Sequence, residues 1–357
     1  MTVSEPTSRS EPALGPEVLD TQGMVAATAG LPEQVFDAAN AAKSLEGLPT
    51  GESVENVVVL GMGGSGVAGD VLAAVAGPFL PVPVVVSKGY EVPNFVGEGT
   101  LVFAISFSGN TEETVEAASD AAVAGARLVV VTNGGELGDL AASWGVPVVA
   151  VPDGIPQPRA GIGALAVPPL IVLEEIGLFP LAGRFVDLAV DQLIRRRDAL
   201  FGEGAPATDL ARRIGRTVPL VVGGGALGAT AAMRWKTQVN ENANAPAFWS
   251  TIPELCHNEV QGWGQHGDMT RQVFTLVELR HEFEHPQVVR RFDVVRGLLD
   301  EVVAGVEEVR AEGEGQLAQL LDLILVGDVV SLHLAAQEGL DPGPVPALDT
   351  LKAALRS

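Results

Sequence analysis

A chain of 357 residues, 47% of them apolar, is long enough for one large domain or two ordinary ones with proper cores and too apolar to be disordered. Its 45 acidic residues against 22 basic ones give a formal net charge of −23, a field that repels nucleic-acid phosphates and anionic membrane surfaces. The single cysteine, Cys256, excludes an intrachain disulfide framework. The N-terminal MTVSEPTSRSEPALG lacks the basic and apolar regions of a secretory signal, and apolar runs such as VPLVVGGGALG are short and glycine-broken. The expectation is a cytoplasmic protein with neither a nucleic-acid nor a membrane partner.

Residues 1–18 are rich in Ser, Pro, Glu and Thr and read as a mobile tail. A helix follows in MVAATAGLPEQVFDAANAAKSL. VENVVVLGMGGSGVAGDVLAAVAG then predicts a strand over Val57 to Leu60, a glycine turn and a helix from about Ser65. Further unalternated strands follow in VPVVVSKG, TLVFAISFSG, ARLVVVTNGG and VPVVAVP, with TEETVEAASDAAVAG as one of the helices between them. Val-rich runs without alternation, separated by helices, indicate a parallel sheet covered on both faces. The plan restarts at TVPLVVGGGALGATAAMRWKTQVNENA and continues with a strand over 272–280, a helix in PQVVRRFDVVRGLLDEVV, a further strand in AGVEEVRAEG and a long helical passage in QLAQLLDLILVGDVVSLHLAAQEGL. The expected fold is therefore α/β, two tandem αβα sandwiches with predominantly parallel sheets, divided into 1–18 (tail), 19–205 and 206–357.

Two glycine turns match G-x-G-x-x-G, at Gly61, Gly63 and Gly66 and at Gly223, Gly225 and Gly228. A dinucleotide fold would also want an acidic residue at the end of the next strand, where this chain has Ser87 and Lys88. SFSGNTEET is more specific. It follows a strand, opens a helix, and offers the hydroxyls of Ser106, Ser108 and Thr111 with Gly109 between them. First-turn amides have no partner within the helix and the helix dipole there favours an anion, so hydroxyls at that place suit a phosphate monoester. Ser65 in the first turn adds another. The plain alternative is an N-terminal cap, which needs only one hydroxyl.

GMGGSGVAGD, SFSGNTEET and TNGGEL resemble the sugar isomerase (SIS) domain. The whole chain from about residue 20 resembles the bifunctional phosphoglucose/phosphomannose isomerases, which carry two such domains. QPRAGIGAL, RWKTQVNENANAPAF, PELCHNEVQGW and LVGDVVSLHLAAQEGLDPGPVPALDTLK extend the match in family order. The resemblance implies that Glu241 is the catalytic base, that His257 assists ring opening, that Arg159 steadies the intermediate, and that Lys352 lies near the sugar. It places the phosphate on Gly64, Ser65, Ser106, Ser108 and Thr111, and it implies a homodimer in which the histidine reaches the neighbouring subunit's site. Departures are Gly66 and Ala68 in the first turn, and Gly343 where the family pattern has threonine. A non-catalytic sugar-phosphate-binding regulator or an amino-sugar-phosphate isomerase on the same scaffold are the rivals.

The implied chemistry is self-consistent. Aldose–ketose interconversion needs a base that shuttles a proton between C1 and C2, a task for a carboxylate whose pKa partial burial lifts. A guanidinium suits the charge developing on an enediolate, and an imidazole suits proton relay during ring opening. Neither a redox cofactor nor a metal is required. His281 and His285 have helix-ligand spacing, but Pro286 follows and no H-E-x-x-H occurs. Cys256 is expected to be a small packed side chain, and Pro246, Phe248 and Trp249 are expected to anchor the segment between Glu241 and His257.

Overall fold

The computed structural model describes Leu14 and residues 18–201 and 204–355, so the tail expected over 1–18 lies almost wholly outside the described residues. The chain forms two compact units. Gly30–Arg195 and Ala311–Asp322 belong to the first, and Arg196–Arg310 and Leu323 onward belong to the second, as does the segment ending at Ala29. The leading helix α1 (Met24–Ala29) therefore goes with the second unit, and the boundary is not a single cut between residues 205 and 206.

The first unit opens with α2 (Leu31–Lys43). Then come β1 (Asn56–Leu60), α3 (Gly63–Val75), β2 (Val84–Ser87), β3 (Thr100–Ser106), α4 (Glu112–Val123), β4 (Arg127–Thr132), α5 (Gly135–Trp144), β5 (Val148–Ala150) and α6 (Ile162–Glu175). All pairings are parallel and the order is β2-β1-β3-β4-β5. The runs of valine are explained by burial from both sides. Every residue of β3 is buried. Val58, Leu60, Val102, Ala104 and Val130 face Ala117, Ala118 and Ala121 of α4 and Leu137 and Ala141 of α5, while α3 packs against Val59 and Val86 from the opposite face. Small alanines on α4 let it lie close to the sheet, the usual solution for a helix layered on branched strand residues.

α7 (Ala182–Leu200) leads out of this unit. The second contains α8 (Pro206–Ile214), β6 (Val218–Gly224), α9 (Gly225–Asn242), β7 (Phe248–Ile252), α10 (Gly267–Val273), β8 (Phe274–Arg280), α11 (Pro286–Leu299) and β9 (Gly305–Arg310). The long α12 (Gln316–Gln337) and α13 (Pro346–Leu355) close the chain. Its sheet is parallel in the order β7-β6-β8-β9. Leu220, Val222, Ile252 and Leu276 meet Val288, Phe292, Val295 and Leu299 of α11 to form the core of one face, with Cys256 packed at its margin as expected. Burial pushes the Cys256 thiol up, which keeps it protonated and poorly nucleophilic. α12 is long and apolar enough to cross a membrane by length and composition, but its apolar window is wholly buried in the fold.

One element escaped the sequence reading. FWSTI is the edge strand β7, and Phe248 and Trp249 are 53% and 40% exposed rather than anchored in a core. Phe248 has an aromatic neighbour in Phe274, with ring centroids 6.3 Å apart. An edge strand has a partner on one side only, so its side chains are not forced inward as those of β6 and β8 are.

Burial also sets an acid response. His333 on α12 is buried, with Nε2 3.2 Å from the Thr208 hydroxyl, and burial holds its pKa below the usual 6.5. His281 is shifted the same way, chiefly by burial. An unfolded chain protonates these rings near pH ~6.5 while the folded one resists, so the unfolded state binds more protons below that pH. Stability is full above about 6.5 and falls as the pH drops toward the lower folded values. We expect the denaturant midpoint to decline from pH 7 to pH 5, and His333→Gln to reduce that decline; an unchanged slope would show that this ring does not carry it.

Candidate active site

In the first unit the strand order reverses beside β1. The chain goes from β1 to β2 on one side and then crosses to β3 on the other. At such a switch point the loops after the two adjacent strands diverge and leave a crevice at their carboxyl ends, the place where open α/β sheets bind ligands. Here those loops are GMGGS, opening α3, and SFSGNT, opening α4. Two helix N-termini thus stand side by side on strands about 4.8 Å apart.

The hydroxyls sit in this crevice and are already organised. Ser65 Oγ accepts the Phe107 N–H at 3.2 Å, tying one loop to the other. Thr111 Oγ1 accepts from Ser106 Oγ at 2.9 Å, and Ser108 Oγ accepts the Asn110 N–H at 3.2 Å. A hydroxyl that accepts keeps its own hydrogen to donate. Ser65, Ser108 and Thr111 therefore each retain an O–H, while buried Ser106 supports Thr111 from below. Thr111 occupies the N-cap position of α4 without a side-chain capping bond, and Met62 at the N-cap of α3 makes none either. The plain capping alternative is thus set aside: the first-turn amides are not consumed by the hydroxyl placed to cap them. Uncapped amides beside donor hydroxyls are suited to an acceptor-only tetrahedral anion.

The loop after β3 is braced from behind by TNGGEL. Asn133 N donates to Phe107 O at 3.0 Å and Leu137 N to Gly109 O at 2.9 Å, and Glu136 N donates to Asn110 Oδ1 at 3.1 Å. Gly109 has φ +68°, and a Cβ there would lie 1.7 Å from the Gly134 carbonyl oxygen, so glycine is required. Rigid backing matters because a cradle that must order itself on binding loses affinity.

Arg159 lies in the same unit, on a 3-10 turn over Pro158–Gly161, and is buried. Gln34 of α2 holds this turn by donating to the Ala160 carbonyl at 2.8 Å. The turn abuts the start of α3: a Cβ on Gly64 would be 3.2 Å from Pro158 O and 3.3 Å from Arg159 N. The structure thus brings Gly64, Ser65, Ser106, Ser108, Thr111 and Arg159 into one neighbourhood, although Arg159 is some ninety residues along the chain from Ser65.

Glu241 belongs to the second unit. It stands half-buried in the last turn of α9, which stops just beyond it where Asn244 adopts φ +51°. Asn240 Nδ2 donates to the Ala245 carbonyl and Asn242 Nδ2 to the Ser331 hydroxyl, both at 2.9 Å. The flanking asparagines thus hold the chain on either side of the carboxylate. His257 ends a short 3-10 turn, Glu254–His257, and is exposed. Lys352 is exposed on α13, none of whose residues is buried. Gly343 packs against Gln22; a Cβ there would come within 2.8 Å of that side chain, so the room a threonine would need is already filled.

The second glycine turn is a different object. Gly223 is pressed onto Gly228, His281 Nε2 lies 2.9 Å from the Gly224 carbonyl oxygen, and Arg280 at the end of β8 is paired with Glu284 at 2.8 Å. The chain's own side chains occupy the switch point of the second sheet. His285 accepts the Gln287 N–H as an ordinary helix cap. Sequence analysis overlooked Asp328 and Ser331, which lie buried opposite α9. Their signal was present: polar residues one turn apart within a largely apolar, buried helix require partners.

Comparison with known proteins agrees with this division. Residues 203–355 match the bacterial phospho-glucose isomerase C-terminal SIS domain, and residues 52–138 match the SIS domain. The bifunctional phosphoglucose/phosphomannose isomerase of Caldicellulosiruptor bescii is 34% identical over 90% of this chain and 96% of its own. That of Aquifex aeolicus is 33% identical over 85% of this chain and 91% of its own. The crystal structure of tagatose-6-phosphate ketose/aldose isomerase from Escherichia coli superposes with a TM-score of 0.69 at 15% identity, over 95% of this chain and 98% of that one, a likeness of fold. With two parallel α/β units and full-length relatives above the level at which family is in doubt, the chain belongs to the bifunctional phosphoglucose/phosphomannose isomerase family.

Proposed function

We propose that this chain interconverts glucose 6-phosphate and mannose 6-phosphate with fructose 6-phosphate through a cis-enediolate. The observation that carries the reading is the uncapped, hydroxyl-lined crevice at the first switch point, together with Glu241 fixed at the end of α9. The phosphate monoester is held by the Ser65, Ser108 and Thr111 hydroxyls, with Ser106 behind them and the Gly64 amide beside them. With the phosphate anchored, binding energy is available for orienting the reacting carbons.

Glu241 removes the C2 proton of the open-chain aldose, the enediolate forms, and the same carboxyl returns the proton to C1 while the O2 proton moves to O1. Glucose and mannose 6-phosphates differ only at C2 and give the same enediolate, so one base serves both when the intermediate rotates slightly to present its other face. Arg159 stabilises the negative charge on O1 and O2 as it develops. His257 and Lys352 share the proton transfers that open the ring. The protein acts as a homodimer in which exposed His257 serves the neighbouring copy's site. The exposed Phe248 and Trp249 on the open edge of the second sheet supply apolar surface for that association. A lone packed thiol fits a reducing cytoplasm.

Two outcomes test this. In deuterated water the protein should exchange the transferred hydrogen of fructose 6-phosphate and produce both aldoses by NMR. Glu241→Gln should lower exchange by about a thousandfold, in keeping with loss of a general base; folded wild-type protein giving neither exchange nor aldose would sink the assignment. Ser108→Ala and Thr111→Ala should each raise KM for the sugar phosphate about tenfold, the worth of one charge-assisted hydrogen bond, with thermal stability near wild type for Ser108→Ala. Unchanged KM in both would place the phosphate elsewhere.

A further inference from the structure

α9 and α12 meet through polar groups shut away from water. Asn242 and Ser331 are both 0% exposed. Asn242 Nδ2 donates to Ser331 Oγ at 2.9 Å, and Ser331 Oγ donates to the Asp328 carbonyl at 2.6 Å. Asp328 accepts Arg234 through both carboxylate oxygens, from Nε at 3.1 Å and Nη2 at 2.8 Å, in a buried ion pair. Beside it Trp235 Nε1 donates to the Leu323 carbonyl at 2.7 Å. The indole lies where a side chain on residue 327 would be, since a Cβ on Gly327 would come within 2.3 Å of Trp235 Nε1. α9 is thus clamped to α12 at two places roughly two helical turns apart, at Arg234–Trp235 and at Asn242.

Trp235 and the ion pair seat the body of the helix, and the second clamp lies at its end. It acts at the last turn, where helix ends fray and where Asn244 has already turned the chain away. That turn carries Glu241. A residue at the rim of a helix is about 5–6 Å from the axis, so a 20° rotation of an unpinned last turn would swing its carboxylate by about 2 Å. A proton-transfer base loses on the order of a hundredfold in rate for displacements of about 1 Å. Apolar packing restrains such rotation weakly because it is not directional, whereas a hydrogen bond between two buried groups has one satisfactory geometry.

We propose that Ser331 and Asn242 are positioning residues for Glu241: their buried hydrogen bond, referenced to the Arg234–Asp328 pair, sets the rotation of the last turn of α9. The inference rests on Glu241 being the base.

The test uses the full chain, with kcat, KM, melting temperature and deuterium exchange measured together. Ser331→Ala should lower kcat ten- to a hundredfold with KM within twofold of wild type. In a Glu241→Gln background it should lower the residual exchange no further, because it acts through that carboxylate. Replacing both partners, S331A with N242L, removes the hydrogen bond together with both of its polar ends, and kcat should stay low. Wild-type kcat in Ser331→Ala or in the double replacement overturns the inference even if the melting temperature falls, and so does an undiminished effect of Ser331→Ala in the Glu241→Gln background. Glu241→Gln exchanging at the wild-type rate overturns the base assignment and the inference with it, a different result from an inactive Glu241→Gln beside a fully active Ser331→Ala.

Discussion

Parallel strands end on the same edge of a sheet, and this constraint governs everything the first unit does. Where the order turns from β1–β2 to β3, two helices must start side by side and leave on opposite faces, each with amides that no helical bond can satisfy. The chain leaves those amides without side-chain caps and sets hydroxyls and a glycine beside them. Ser65 bonds to the neighbouring loop and Ser106 to Thr111, and no N-cap side chain bonds an α3 or α4 amide. A surface carrying an excess of negative charge can still bind an anion here because the donors are fixed and local, while the opposing charges are dispersed and screened.

The second unit begins from the same backbone plan and arrives at another use. Its glycine turn is closed by His281 and by the Arg280–Glu284 pair, so its switch point is packed rather than presented. What it offers instead is α9, a helix seated by a buried ion pair and tipped with a carboxylate. The two units thus put one backbone plan to different uses, and the difference follows from which side chains fill each crevice.

Much of this was legible in the chain. Runs such as VVVL and TLVFAIS announce buried parallel strands because nothing polar interrupts them, and SFSGNT stands out because it carries more hydroxyls than a cap needs. β7 was not legible. FWSTI is short, follows a polar cluster and has its large aromatics exposed, so periodicity carries no signal at an edge where only one neighbour constrains the strand. The pairing of the clamp between α9 and α12 was equally hidden, since Asn242 and Ser331 are separated by nearly ninety residues and a polar residue on a buried helix calls for a partner without naming it.

By itself the sequence determined the α/β class, the buried central strands with the helices between them, and that both sheets are parallel, because burial patterns are local properties. Only the tertiary structure decided which donors are left unspent and which are consumed. Whether Thr111 caps its helix, whether Arg159 lies against Gly64, and whether Asn242 bonds Glu241's neighbourhood or Ser331 depend on groups distant in the chain that must find partners once water is excluded. The fold settles those partnerships, and with them the difference between a glycine turn that presents hydroxyls and one that is merely packed.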